Sequence, residues 1–233
     1  ERGIEKVQSE IDKLTNKKDM SYVFVCGHII VERLNFYGNR VLSYHGTNNS
    51  NIETIPMVPF IFSEDQKSIR ERQYLASFSG SFETHWTRHF VYEDLRKNPD
   101  CFVRDTGSWH FYDNPESKTE REDHYRKLLS NSKITVCPRG TGPCTIRLWE
   151  SLASGSIPLV VSDDYKFPLI PSIDWKKCIL RVSENRSDQI IEKISTLTDA
   201  QLEEMQMYGL KIYHSHLKEE NIINSIKEVI GHG

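Results

Sequence analysis

The sequence has no excess of charge of either sign. Thirty Lys and Arg stand against 33 Asp and Glu, a formal net charge of −3, and no basic block or stripe breaks the balance. That excludes the electrostatic footprint by which nucleic-acid binders hold phosphate backbones. Long hydrophobic runs are missing too. Nothing approaches the roughly 18 apolar residues of a membrane-spanning helix, and no signal-peptide pattern opens the chain. The cysteines at 26, 101, 137, 144 and 178 form no CxxC pair, which argues against a structural zinc site. Their odd number and irregular spacing fit no disulfide framework. They read as small buried residues and favour a reducing, cytoplasmic setting. Two Asn-x-Ser triplets, at Asn48 and Asn185, leave that setting open. Repeats and low-complexity tracts are absent.

What is present amounts to about one and a half domains, 233 residues at roughly 150 per domain. Ile4, Val7, Ile11 and Leu14 form a stripe at helical spacing, predicting a helix over 4–18. Residues 22–26 read as a buried strand ended by Gly27-His28, and a polar stretch with Gly38 and Gly46 follows. Ile55 to Pro59 reads as a short strand and a linker. The expected division is a partial N-terminal domain over 1–58, a second domain over 59–200, and a C-terminal helix over 201–233 packing back on the first. The second part predicts strands at 74–78, 101–103, 134–137, 157–161 and 178–182. Helices are expected over 84–97, 118–130, 143–154, 187–196 and 199–229. Strands alternating with helices imply parallel βαβ units.

The chemistry concentrates in residues 133–164. A strand runs into Arg139-Gly140-Thr141-Gly142. Pro143 suits a first helical position, and Gly155 suits the residue just past the helix end. A strand, a glycine loop and a helix start together offer backbone N–H groups and a positive dipole end to a phosphate, with Arg139 and Arg147 adding guanidinium forks. Arg147 and Glu150 lie three apart on one helix face. Either they form a surface ion pair of little worth, or Arg147 meets a phosphate and Glu150 accepts hydrogen bonds from a ribose. No Walker loop matches. Thr145 stands where a dinucleotide fingerprint needs its third glycine.

The run Cys137-Pro-Arg-Gly-x-Gly-Pro-x-x-x-Arg-Leu-x-Glu-x-Leu-x-x-Gly-x-Ile-Pro158 resembles the signature of the exostosin-type (GT47-like) glycosyltransferases. Phe78-Ser-Gly80 followed by Arg88, Ser162-Asp163, Ile173-Asp-Trp175 and Val182-Ser-Glu184 are similar to the flanking pieces. The similarity covers about 21–195. It implies an α/β fold of GT-B type, two Rossmann-like domains facing a cleft, here with a short N-terminal domain. It also implies an inverting, metal-independent transfer of a sugar from a UDP-sugar to a hydroxyl of a glycan or glycoprotein, with no cofactor. On the motif's positions, Gly80, Arg139, Gly140, Thr141, Gly142, Thr145, Arg147, Glu150 and Asp163 become donor-site residues. Arg88 becomes either a second phosphate ligand or a solvated helix charge.

Retaining relatives carry two Glu eight apart, whereas Gly142 and Pro158 flank Glu150 at that distance. Asp163-Asp164 could suggest a metal-binding pair, but no His or Glu nearby completes an octahedral site. An inverting transfer needs a base, and His28, at the end of a strand, is the candidate. Ile29 stands where the family has Asp, and Glu32, Glu53, Asp113 and a residue upstream of Glu1 are rivals. His85, His89 and His110 read as loop or packing residues. Residues 108–112 read as either a sugar platform or a local aromatic cluster. Two other readings are a nucleotide-sugar-binding protein without turnover and a nicotinamide enzyme. Xylose is the working expectation for the donor sugar. An anchor upstream of Glu1 would fit a Golgi lumen instead of the cytoplasm.

Overall fold

In the computed structural model, which describes residues 2–16, 20–107 and 118–231, the apolar runs assemble into two parallel sheets. The smaller is built from β1 (Val23–Cys26), β2 (Arg40–Ser43) and β3 (Glu53–Thr54), in that spatial order. Helix α1 (Arg2–Thr15) precedes it. Strand β2 was not foreseen. Its two apolar residues, Val41 and Leu42, are flanked by Asn39-Arg40 and Ser43, too short a run to stand out from the polar stretch around it. Both are buried.

The larger sheet holds β4 (Tyr74–Gly80), β5 (Cys101–Asp105), β6 (Ser132–Pro138), β7 (Ile157–Val161) and β8 (Leu180–Val182), ordered β5-β4-β6-β7-β8. All its pairings are parallel, so each connection is a crossover. The first three are carried by α2 (Thr87–Leu95), the segment ending in α3 (Lys118–Asn131), and α4 (Arg147–Ala153), and the last, from β7 to β8, by a loop with a short turn at Trp175–Lys177. Next come α5 (Ile190–Ile194), α6 (Asp199–Ile212), a wide turn over Tyr213–Leu217, and α7 (Glu219–Gly231). Helix α6 starts with a reciprocal cap between Thr198 and Gln201, which satisfies two otherwise unpaired N–H groups.

Strands alternate their side chains between two cores. On one face Ala76, Phe78, Ile134, Val136 and Leu159 are fully buried with Val91 and Leu95 of α2 and Ile190 and Ile194 of α5. On the other, Cys137 and Val160 pack with Leu148, Trp149, Leu152 and Ala153 of α4. Each fully buried Leu or Ile contributes about 2 kcal/mol. This second core also takes in Leu42 and Ile55 from the N-terminal part and Val229 of α7, so it runs across both halves. Gly155 has φ +67° and closes α4. At the other end, α4 begins at Arg147 and not at Pro143, so residues 139–146 form one long loop.

Three sets of contacts join the halves. Along the linker, the N–H groups of Ile61 and Ser63 donate to Glu150 Oε1 (3.1 Å) and Ser154 Oγ (3.0 Å), and Gln66 Nε2 donates to the Ala153 carbonyl (3.1 Å). Beyond β7, Asn48 N–H donates to the Asp164 carbonyl (2.9 Å) and Lys166 N–H to the Gly46 carbonyl (3.1 Å), forming an antiparallel bridge between Thr47 and Tyr165. Arg40 Nη2 reaches the Val229 carbonyl of α7 at 3.5 Å.

Arg72, 3% exposed, ties the larger domain together. It donates to the carbonyls of Lys67, Leu129, Ser132 and Ser154 at 2.9–3.0 Å. Those carbonyls include the ends of α3 and α4, which would otherwise lack partners. Burial pushes its pKa down to about 10.

Candidate functional site

The strand order makes the site. The first crossover leaves β4 for β5 on one side, and the chain then returns to β6 on the other. The loops after β4 and β6 diverge, and in open parallel sheets ligands bind in the crevice at such a reversal, outside the carboxyl ends of the strands. Gly80 ends β4 and Arg139 follows β6.

Arg139 N–H still donates to the Val161 carbonyl at 3.0 Å, which fixes where its side chain leaves the sheet. Its Nη1 lies 3.1 Å from Glu184 Oε1 and 3.7 Å from Asp164 Oδ2. Glu184 is a hub. It also accepts from Asp163 N–H at 3.0 Å, and its other oxygen is 4.0 Å from His85 Nε2. The exposed Asp163 carboxylate accepts from Ser183 Oγ (3.0 Å) and Glu184 N–H (3.1 Å), so it caps the turn after β8.

Arg88 comes from the first turn of α2 and is partly buried. Its Nε donates to the Arg139 carbonyl and its Nη1 to the Ser81 carbonyl, both at 2.9 Å. Burial, and then the charge of Arg147, lower its pKa to about 9. It is therefore no solvated helix charge. Arg147 Nη2 donates to the Ser79 carbonyl at 2.5 Å. The Arg147 guanidinium lies 4.9 Å from the centre of the Phe78 ring and 5.9 Å from that of Tyr125. Two glycines make room. A Cβ on Gly80 would stand 2.9 Å from Arg147 Nη2, and one on Gly140 would stand 3.2 Å from Arg88 Nη2.

Among the described residues the ion pairs include Arg139 with Glu184 and Asp164 but none within 4 Å for Arg88 or Arg147. Three polar atoms around the same loop, Arg139 Nε, Arg147 Nε and Thr84 Oγ1, are shut from solvent without a hydrogen-bond partner. Burying cations and donors without partners is costly, and an anion seated beside Gly140 would offset the charge of the guanidiniums gathered there. Thr141 is exposed and Thr145 partly buried on this loop.

Glu150 lies elsewhere than the open crevice. It is 3% exposed, with Oε1 on Ile61 N–H and Oε2 on Tyr125 Oη at 3.0 Å. It does not form a surface ion pair with Arg147.

Across the crevice stand the carboxyl ends of the smaller sheet. Gly142 is buried against them, and a Cβ there would meet Ile29 Cγ2 at 2.6 Å and His45 Nδ1 at 2.9 Å. His28, exposed, caps the short turn Ile29–Arg33 by accepting Ile30 N–H on Nδ1 at 3.2 Å. A neutral ring in that bond carries its proton on Nε2. Glu32, on the same turn and exposed, accepts from Thr47 Oγ1 at 2.5 Å. Glu53 is held by Arg40 at 2.5 and 2.7 Å. His45 Nδ1 is 3.2 Å from Cys144 Sγ. Its pKa is lowered by burial and by nearby His28. Asp113, His110 and the 108–112 segment lie outside the described residues.

Sequence reasoning missed His45 and Tyr125. His45 follows the unforeseen β2. Tyr125 sits in a charged helix with no apolar periodicity, so nothing local marks it. Among the described residues no group of three or more His, Cys, Asp or Glu is placed to hold a metal ion, and no helix is long and apolar enough to cross a membrane.

A family model described as the exostosin GT47 domain matches residues 15–197. The chain is similar to the exostosin-1 homolog of Caenorhabditis elegans, 26% identical over 172 residues that cover 69% of the chain and 45% of that protein. It is also similar to ribitol-5-phosphate xylosyltransferase 1 of Danio rerio, 26% identical over 112 residues, 47% of the chain and 25% of that protein. The chain thus spans less than half the length of these relatives. Among solved structures, a TarM variant of S. aureus superposes with a TM-score of 0.51 at 13% identity, over 92% of the chain and 52% of that protein. The fold is of GT-B type.

Proposed function

The chain belongs to the exostosin GT47 family, and from that membership we propose that it forms the donor-binding part of an inverting glycosyltransferase. The reaction moves a sugar from a UDP-sugar to a hydroxyl of a glycan or glycoprotein acceptor. The TarM variant was solved with UDP, and a xylosyltransferase is among the similar proteins. Both support UDP as the nucleotide and xylose as the first donor to try.

One observation carries the reading. Among the described residues Arg88 and Arg147 stand in the crevice with no carboxylate within 4 Å, next to the orphaned Nε atoms of Arg139 and Arg147. A diphosphate is the anion whose size and charge suit three guanidiniums and a glycine loop. The cradle is made by these side chains and the 139–146 loop, since the helix begins only at Arg147. As the bond from the anomeric carbon to the UDP oxygen breaks, negative charge grows on the diphosphate. Fixed guanidiniums stabilise that charge without reorganising. Metal-independent transfer follows from this arrangement as part of the proposal.

The acceptor hydroxyl loses its proton as it attacks. On the turn after β1, His28 presents Nε2–H, a donor, while its Nδ1 is engaged by Ile30. To act as base, His28 must first release Ile30. Glu32 can accept the proton without rearrangement, and we assign it that role, with His28 donating to a substrate oxygen beside it.

The test is calorimetry with UDP, followed by a panel of UDP-sugars scored for donor hydrolysis with and without EDTA. We expect UDP binding that Arg147→Ala weakens about tenfold, or about 1.4 kcal/mol, and hydrolysis of one donor that persists in EDTA. Unchanged UDP affinity in Arg147→Ala refutes the donor site. Binding without hydrolysis of any donor favours a nucleotide-sugar-binding protein. Activity lost in EDTA and restored by manganese refutes metal independence.

A further inference from the structure

Glu150 stands at the motif position expected to hold a ribose, yet its carboxylate is buried and turned toward protein donors. Ile61 N–H, from the linker between the halves, occupies Oε1, and Tyr125 Oη occupies Oε2. The Tyr125 ring in turn flanks the Arg147 guanidinium, together with Phe78. Arg147 and Glu150 sit three apart on α4, on the same flank. Burial raises the Glu150 pKa, while the bonds from Ile61 and Tyr125 and the charge of Arg147 pull it back.

A carboxylate paired directly with Arg147 would cap the N–H groups that a phosphate needs. A carboxylate set behind a tyrosine supplies the counter-charge and leaves those groups open. It also fixes the ring against which the guanidinium lies, and a flat cation held against aromatic faces loses the freedom to swing away. Resting on the donor-site reading above, we infer that Tyr125 and Glu150 are positioning residues for Arg147, aiming it at the diphosphate, and that Glu150 is not a ribose ligand. The Ile61 bond adds a second consequence. The linker that joins the two halves is fastened to the same carboxylate that orients the diphosphate-binding arginine.

The experiment compares two probes, UDP and inorganic pyrophosphate, by calorimetry on the full 233-residue chain and on Tyr125→Phe and Glu150→Gln. The fitted stoichiometry reports the folded fraction, so affinity is read on folded protein. Both variants are expected to weaken UDP and pyrophosphate by the same factor, about fivefold. In an Arg147→Ala background neither should weaken pyrophosphate further, because residues acting through one group are non-additive. If Glu150→Gln weakens UDP and leaves pyrophosphate unchanged, Glu150 is a ribose ligand and the inference falls. Additive losses in the Arg147→Ala background overturn it too. A parent chain that binds neither probe refutes the donor site itself and this inference with it.

Discussion

Replacing Gly80 by alanine tests the site through a single methyl group. The added Cβ would stand 2.9 Å from Arg147 Nη2 and 3.4 Å from the Phe78 ring. Ordinary contact begins near 3.4 Å, so the guanidinium must retreat by about half an ångström. It has little room to do so softly. Its Nη2 is on the Ser79 carbonyl, and Phe78 and Tyr125 lie against its plane. The movement therefore tips the whole fork. A charged hydrogen bond contributes about 1.5–3 kcal/mol and weakens steeply with misalignment. Loss of about half of two such bonds to a diphosphate is roughly 1.5–3 kcal/mol, or about 10- to 100-fold in affinity. Overpacking adds a cost of about 1–3 kcal/mol to folding, so thermal melting is recorded in parallel. Gly3→Ala is the control, with nothing within 4 Å of the new methyl. Calorimetry with UDP decides the matter. A Gly80→Ala protein that melts near the parent and binds UDP equally well would refute the placement of Arg147 on the donor.

Three further outcomes follow from the geometry. In turnover assays Glu32→Gln should lower kcat by about 100-fold or more, as expected for loss of a general base, with Arg147-dependent UDP binding intact; His28→Ala should cost less, and the reverse order would return the base to His28. Arg72→Met should lower stability by at least about 3 kcal/mol, since four charged hydrogen bonds at about 1.5 kcal/mol or more each outweigh the roughly 3 kcal/mol cost of burying the cation. For a chain of this size that is a melting-point drop of about 6–12 °C, and a shift under about 2 °C would contradict it. His45 has a folded-state pKa lowered by burial, so below about pH 6.5 the unfolded ring takes a proton that the folded ring resists. Stability should be full above that pH and fall as pH drops toward 5. His45→Gln should flatten part of the slope, and an unaltered slope would remove His45 from the account.

The segment from β6 through α4 to β7 was legible because it obeys local rules. Residues 134–137 are apolar but for Thr135, 157–161 form a continuous apolar run, and Gly155 takes the positive φ that its place predicted. The start of α4 was not legible. Pro143 is compatible with a helix start, but Gly142 packs on Ile29 and His45 from the other half, and the helix forms only from Arg147. Arg88 and Arg139 could be named from the motif, whereas their meaning depended on partners from other strands. The sequence marks Glu184 only as a flanking residue, and its grip on Arg139 appears when β8 takes its place beside β7. Tyr125 was beyond reach, since a tyrosine in a charged helix becomes informative only when the sheet brings it to Glu150.

The contacts between the halves have a mechanical consequence. Two bodies joined at one point can swing, and two bodies joined at two points can still rotate about the line between them. Here the linker on Glu150 and Ser154, the bridge of Thr47 to Tyr165, and α7 reaching Arg40 make three attachments. Each attachment beyond the first narrows the swing left to the halves, and the less a ligand entering the crevice must drive a closure, the less ordering entropy it bears.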